Sequence, residues 1–404
     1  MNTILGLAFI AVFLRFGAVE CLTSESDVNA LRLLKQFIDP ITILPNSYVK
    51  SWNFSMDPCE SRGWFLGVLC TDPIDESSNK RVSTILLDAV GYDGFLPSAI
   101  GDLTELTELR LDSNRFRGPI PETIGNLQKL TRITLSNNFF TGQIPRGIAN
   151  FRRLEFLDLS GNQLSGSIPT NSSGMTRLMR LNLARNSLSG RILDISGQWQ
   201  LSSLDLSDNQ FYGEIPKLPS SLTYLDVSNN ALSGHLTRLG TLQKLHYINV
   251  GGNRFTGPIS QQVLGLPLVT YLNVSTNHFT EINTVYLSGP VQLQVLDAHG
   301  NLLHGRLPSN LAALQELTSL DLSHNRFSGN IPASYWQKQG RPWSRLFLQD
   351  NFLTGSLPEG LASCRVVARG SFANNCLSCP DYISLCRGAQ KSSSQCARYE
   401  NDSN

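Results

Sequence analysis

An asparagine returns at almost constant spacing through most of this chain: Asn114, Asn138, Asn162, Asn186, Asn209, Asn230, Asn253, Asn277, Asn301, Asn325 and Asn351. The intervals are 24, 24, 24, 23, 21, 23, 24, 24, 24 and 26 residues. Each is preceded by apolar residues at minus 8, minus 5 and minus 3, as Leu154, Leu157 and Leu159 precede Asn162, and ten of the eleven are followed four residues later by Gly. A period of this length describes one supersecondary unit copied many times. Each copy closes its core only against its neighbours, so the chain is confined to a solenoid. A solenoid exposes one long face, and such a protein recognises something rather than transforming it.

Aligned on the asparagine, the copies give L-x-x-L-x-L-x-x-N-x-L-x-G-x-I-P, clear in residues 106–121 and 317–332. The L-x-L pair alternates with period two, so each unit is expected to contribute one short strand. Successive strands stack in parallel with their leucines in a shared core. The asparagine is expected to bond the turn backbone from unit to unit, while Gly supplies backbone freedom after it and Pro sets the chain direction. One more unit comes first: Val82, Ile85 and Leu87 hold the apolar places, Val90 replaces the asparagine, and 94–97 completes the pattern. That makes twelve repeats over residues 81–358. Glu281 stands where Gly is expected, and one interval shrinks to 21 residues through Lys217-Leu218-Pro219. Both predict a local change of twist or of the outer loop.

The formal net charge is +1 and 41% of the 404 residues are apolar, which excludes a polybasic nucleic-acid reader and wholesale disorder. An apolar run at 4–14, followed by Val19-Glu20-Cys21, predicts a secretory signal over 1–21, although no Lys or Arg charges its start beyond the amino terminus. No other stretch supplies the ~18 apolar residues of a membrane helix, and the polar tail at 387–404 argues against a lipid anchor. A secreted, unanchored protein is expected. Sequons at Asn53, Asn171, Asn273 and Asn401 agree with that compartment. So do the cysteines: Cys59 and Cys70 precede the repeats, Cys364, Cys376, Cys379, Cys386 and Cys396 follow them, and none lies within them.

The G-x-I-P extension and the 24-residue period resemble the plant-type leucine-rich repeat of receptor-like proteins and receptor-kinase ectodomains. That resemblance implies an α/β repeat solenoid: a right-handed superhelix with a parallel β-sheet on its concave face and disulfide-stapled caps. Residues 22–80 resemble the amino-terminal cap. Ser24-x-x-Asp27 would start a helix carrying Val28, Leu31, Leu34, Phe37 and Ile38 on one face. Trp52, Asp57-Pro58-Cys59, Trp64 and Gly67-Val68-x-Cys70 match the cap motif. Residues 359–404 resemble a carboxyl cap and polar tail. The caps so implied pair Cys59 with Cys70, Cys376 with Cys396 and Cys379 with Cys386. Cys364 is then left over if Cys21 departs with the signal, either buried and inert or bridging to another molecule. Cys376-x-x-Cys379 also fits a redox or zinc motif, but no second C-x-x-C and no His-x-x-His accompanies it.

Side chains between the strand leucines face outward. Six places before each asparagine stand Glu108, Arg132, Phe156, Arg180, Ser203, Tyr224, Tyr247, Tyr271, Val295, Ser319 and Arg345. The consecutive Tyr224, Tyr247 and Tyr271, with Phe156, form a candidate ligand platform, because tyrosines give large rigid contacts with a polar handle. The competing reading is that they merely cover the sheet. Arg110, Arg132 and Arg180, with Arg185, form a second candidate, for a carboxylate or an acidic polysaccharide, against the alternative of scattered solvated arginines. The minus-four column (Asp158, Asn182, Asp205, Asp226, Asn249, Asn273, Asp297, Asp321) is assigned to cross-strand polar structure. A glycan on Asn273 would occupy the same sheet beside Tyr271.

Asp321, Ser323 and His324 are triad residue types, but the repeat places Asp and Ser in neighbouring copies, and the six histidines show no metal spacing. No enzyme activity, cofactor or metal is expected. The leading expectation is an extracellular recognition protein of the apoplast or cell wall, active in plant signalling or defence. It would bind a peptide or receptor ectodomain and signal through a transmembrane receptor kinase in trans. The first alternative is a secreted inhibitor of wall-degrading enzymes. Polygalacturonase-inhibiting proteins resemble this chain but have about ten repeats and two cysteine pairs in the amino cap. The second is a structural wall protein, which lacks support in any Pro-rich tail.

Overall fold

The computed structural model describes residues 22–60, 65–71, 79–169, 174–198, 200–284, 291–338, 340–357, 367–379 and 383–402. The signal expected at 1–21, Trp64, Asn171 and Cys364 lie outside them, as does the side chain of Asn401.

One sheet of fourteen strands runs the length of the protein in strict sequence order. Its first pair, Val68–Thr71 with Arg81–Leu86, is antiparallel. Every later neighbour is parallel, from Glu108–Arg110 to Gly370–Ser371. Each three-residue strand begins six places before its asparagine, where the L-x-L alternation puts it. The middle residues, such as Leu109, Ile133, Leu225 and Leu320, are fully buried, and their flanking residues face out.

The asparagines hold the units together. Asn138 donates through Nδ2 to the carbonyls of Leu111, Leu135 and Ser136, and its Oδ1 accepts from the Phe116 amide of the preceding unit. Asn277 and Asn325 repeat this pattern. One side chain thus satisfies four backbone groups that the turn would otherwise bury unpaired. The ladder continues past Asn351 to Asn375, whose Nδ2 bonds the carbonyls of Leu348, Phe372 and Ala373. The turn around Asn375, assigned from sequence to the carboxyl cap, therefore has repeat geometry as well as cap cysteines.

Each unit was expected to give one strand, and most give two. The residues after the asparagine form a second parallel ladder: nine strands from Asp93–Phe95 to His278–Ile282, then four from His304–Arg306 to Cys376–Ser378. A Gly in the left-handed region permits it: Gly118 has φ +77°, and a Cβ there would lie 2.9 Å from the Phe95 ring. The ladder divides at the unit where Glu281 replaces that Gly, after a register shift between Gly257 and Pro258. The irregularity at Glu281 thus falls in the second sheet, while the first sheet passes through unbroken. The shortened unit at 217–219 likewise keeps the first-sheet register, Ser203 opposite Tyr224.

At the amino end, the helix α1 (Glu25–Gln36) packs Ala30, Leu31 and Leu34 against the first repeats. Ile38 is buried as expected, but Phe37 is 47% exposed and Val28 only half-buried, while Ala30 takes the inward place. The helix starts at Ser24-x-x-Asp27 as expected, but without a capping box. Ser24 makes no side-chain cap bond, because Asp27 is turned inward: it receives Nε and Nη2 of Arg81 and the amide of Val82. Trp52 is buried beside Phe65 and donates to the Leu66 carbonyl. Disulfides join Cys59 to Cys70, Cys376 to Cys396 and Cys379 to Cys386. Among the described residues no helix is long and apolar enough to cross a membrane.

Candidate recognition surface

Parallel pairing without register shift puts equivalent side chains of neighbouring units directly beside one another. Tyr224 lies opposite Tyr247, and Tyr247 opposite Tyr271. Their rings stack with centroids 4.5 and 4.6 Å apart and planes 8° and 3° from parallel. All three are half-buried. The spacing is that of the strands, so the backbone itself sets the stack. Burial and the carboxylates of Asp205 and Asp226 push the Tyr224 phenol up to about 12. Tyr247 is raised by burial and Asp226, and Tyr271 by burial and Asp297.

Phe156 stands apart from the tyrosines, two strands away from Ser203. The Arg132 guanidinium sits 3.9 Å above its ring centroid and 3.4 Å from Glu108. Arg110 lies 3.9 Å from Glu108 and 3.8 Å from Asp112. Arg185 donates to Asn137. The candidate basic cluster is thus not a set of free cations: Arg110 and Arg132 already face carboxylates of their own chain. Arg180 is exposed on the strand between Phe156 and Ser203.

The minus-four column works differently from the cross-strand role expected for it. Each member chiefly closes its own turn. Asp158, Asp205, Asp226 and Asp321 accept from the amide and hydroxyl of the serine two residues on. Asn249 and Asn273 accept from the amides of Gly251 and Ser275. Cross-strand bonds are added: Asn182 donates to Asp158 and to the Ser160 hydroxyl, and Asn249 donates to Asp226. The result is a row of carboxylates along the tyrosine column. Burial, with Asp226 and Asp208 nearby, raises the Asp205 carboxyl despite its bonds to Ser207.

The fold also gathers groups that sequence spacing kept apart. Ligand atoms of Asp297, His299 and Asp321 lie within 4.8 Å of one another, with His299 Nδ1 already 2.7 Å from Asp297 Oδ1. Only strand pairing across a repeat reveals this. The triad residue types are not aligned: Ser323 donates to Asp321, whereas His324 Nδ1 lies 3.4 Å from Asp350. The sequons fall in different settings. Asn53 is exposed, and Asn273 is half-buried with its Oδ1 held by Ser275.

Family models described as leucine rich repeat match residues 104–164, 200–222 and 316–337. Receptor-like protein 35 of Arabidopsis thaliana is 35% identical over 130 residues, 32% of this chain and 13% of that protein. Receptor-like protein 34 of the same plant is 36% identical over 146 residues, 36% of this chain and 14% of that protein. The matched part therefore spans about a seventh of these relatives. Among solved structures, the plant peptide hormone receptor RGFR1 in complex with RGF2 aligns with TM-score 0.65 and 30% identity, over 74% of this chain and 54% of that one. The PEPR1–AtPEP1 complex aligns with TM-score 0.62 and 28% identity, over 91% and 59%. A plant ice-binding protein aligns with TM-score 0.56 and 28% identity, over 77% and 90%.

Proposed function

We propose that this chain, a plant-type leucine-rich-repeat protein, is an extracellular recognition protein whose concave sheet binds a peptide in plant signalling or defence. The observation that carries the reading is the stack of Tyr224, Tyr247 and Tyr271 on the outward face of the long sheet. The three half-buried rings stand on the outward side of the sheet, away from the buried leucines of the same strands. They offer a rigid, amphipathic edge at low entropic cost to a ligand, as aromatic anchors do at interfaces. An extended peptide suits a surface whose side chains repeat at strand spacing along one direction. One structural neighbour is a plant peptide hormone receptor in complex with RGF2, and the receptor-like relatives and capping disulfides suit a place outside the cell. The ice-binding neighbour is a reminder that the repeat serves other ends. The reading therefore rests on this chain's own face, not on its fold.

Proximity labelling in living tissue would recover the partner, and binding to the purified protein would then be compared between wild type and Tyr224→Ala, Tyr247→Ala and Tyr271→Ala. Loss of about tenfold or more in affinity at the central Tyr247 is the expected result. Unchanged affinity in all three variants would remove the tyrosines from the site.

A further inference from the structure

The ligand's charge follows from how the sheet distributes its own. On the strands before Asp158, arginine and acid neutralise each other, with Glu108 facing both Arg110 and Arg132. On the strands from Ser203 to Asp321 the pattern changes. Asp205, Asp226, Asp297 and Asp321 occupy one register position, interrupted only by Asn249 and Asn273. Among the described residues, no Lys or Arg pairs with any of the four; Asp297 pairs with the imidazole of His299, with Asp321 close by. Asp226 is buried at 7% relative exposure, with the half-buried Asp205 on the next strand. The hydrogen bonds from Ser207, Ser228 and Asn249 orient these carboxylates without cancelling their charge. Immediately alongside stand the edges of the tyrosine stack.

We propose that this stretch of the sheet receives a cationic peptide segment, with Asp205 and Asp226 the residues that select for arginine or lysine beside Tyr224 and Tyr247. The proposal rests on the peptide-binding reading above and adds to it the sign of the ligand. Uncompensated carboxylates in a row repel an acidic peptide and attract a basic one, and that contribution is expressed as specificity and association rate. Packing supplies the complement: the alkyl stem of Lys or Arg lies along tyrosine edges while its head reaches the half-buried Asp205, and Asp226, whose oxygens are held by Ser228 and Asn249, acts through its charge. The desolvated state of Asp205, whose carboxyl is held above its ordinary range, is relieved when a cation arrives.

The test uses the full chain and short synthetic peptides in which glycine alternates with arginine, glutamate or glutamine. Calorimetric titration should show the arginine peptide binding at least about tenfold tighter than the other two, with the preference shrinking as salt is added. Asp205→Asn and Asp226→Asn keep an oxygen for the serine bonds and remove the charge. Each should cut the preference severalfold, whereas Glu214→Gln, outside the concave sheet, should not. The same two variants should bring the Tyr224 titration back toward that of free tyrosine, a readout that needs no ligand. Should one variant fold poorly, the other and the salt series still decide.

Equal binding of all three peptides, tighter binding of the glutamate peptide, or equal losses in the Glu214 control would overturn the proposal. A random peptide library separates the two levels. Binders lost on Tyr247→Ala but not enriched in Arg or Lys would reject the charge assignment and leave peptide binding standing. Binders indifferent to Tyr247→Ala would reject both.

Discussion

Tyr224 and Tyr247 stack 4.5 Å apart on neighbouring strands, and burial, together with the Asp205 and Asp226 carboxylates, raises the Tyr224 phenol to about 12. Tyr247 shifts the same way. A phenol whose folded pKa is raised favours folding while neutral. That contribution is intact below the free tyrosine value of about 10 and is lost as pH climbs from there through the folded pKa. Spectroscopic titration of tyrosinate should therefore show a late-titrating group, diminished by Tyr224→Phe, and thermal stability should fall between about pH 10 and 12. A late fraction unaffected by Tyr224→Phe would assign it instead to the other tyrosines raised by burial, Tyr247, Tyr271, Tyr92 or Tyr335.

Replacing Asn277 by Ala removes a nearly buried amide that bonds the carbonyls of Val250, Val274 and Ser275 and the amide of Phe255. Those groups are left unpaired, at about 1–3 kcal/mol for a buried polar group without a partner. Units contact chiefly their neighbours, so the loss should be local. Hydrogen exchange should quicken at residues 250–280 and stay near wild type around Asn114. Uniform acceleration along the chain would contradict nearest-neighbour stability.

The amino cap is tied to the repeats by the fully buried Asp27, which holds Arg81 through two nitrogens and the Val82 amide. Asp27→Ala leaves the Val82 amide without its acceptor and the Arg81 guanidinium with the Asp102 carbonyl and the Thr104 hydroxyl in place of its carboxylate. Removing one partner of a buried pair costs about 3–5 kcal/mol, and the partial exposure of Arg81 places this case at the low end. Urea denaturation should report that loss, and limited proteolysis should cut first between the helix and residue 81. A neutral Asp27→Ala would show that helix packing alone fixes the cap.

Asp57 gives the cap an acid sensitivity. Burial pushes its carboxyl up, but the Thr23 hydroxyl and the amides of Thr23, Cys59 and Glu60 outweigh this and hold it below the ordinary range. A depressed carboxyl contributes stability that is present above the unfolded pKa, about 4, and is lost as pH falls through the folded value. Melting temperature should fall more steeply below about pH 4 in wild type than in Asp57→Asn. Parallel curves would remove Asp57 from the acid transition.

Much of the architecture could be read from spacing alone. The strand starts at minus six, the buried leucines between outward residues and the asparagine ladder follow from a period that leaves a polar turn nowhere else to bond. Neighbour relations along one column were equally legible, so the tyrosine stack was visible as three letters at one offset. The second ladder was not, because N-x-L-x-G signals a turn until parallel copies pair it. Nor was the inward turn of Asp27, since Ser24-x-x-Asp27 has the local signature of a cap and only Arg81, 54 residues away, redirects it.

The sequence by itself determined the solenoid, its register and which residues line its open face, because periodic burial admits a single arrangement of the units. Tertiary structure decided the electrostatic character of that face. Arg110 and Arg132 are cationic in the sequence, but packing sets them against Glu108, while among the described residues no Lys or Arg pairs with Asp205 or Asp226 beside the rings. Charge is a property of one residue. Its compensation depends on which neighbours lie within a few ångströms, and only the folded chain fixes those.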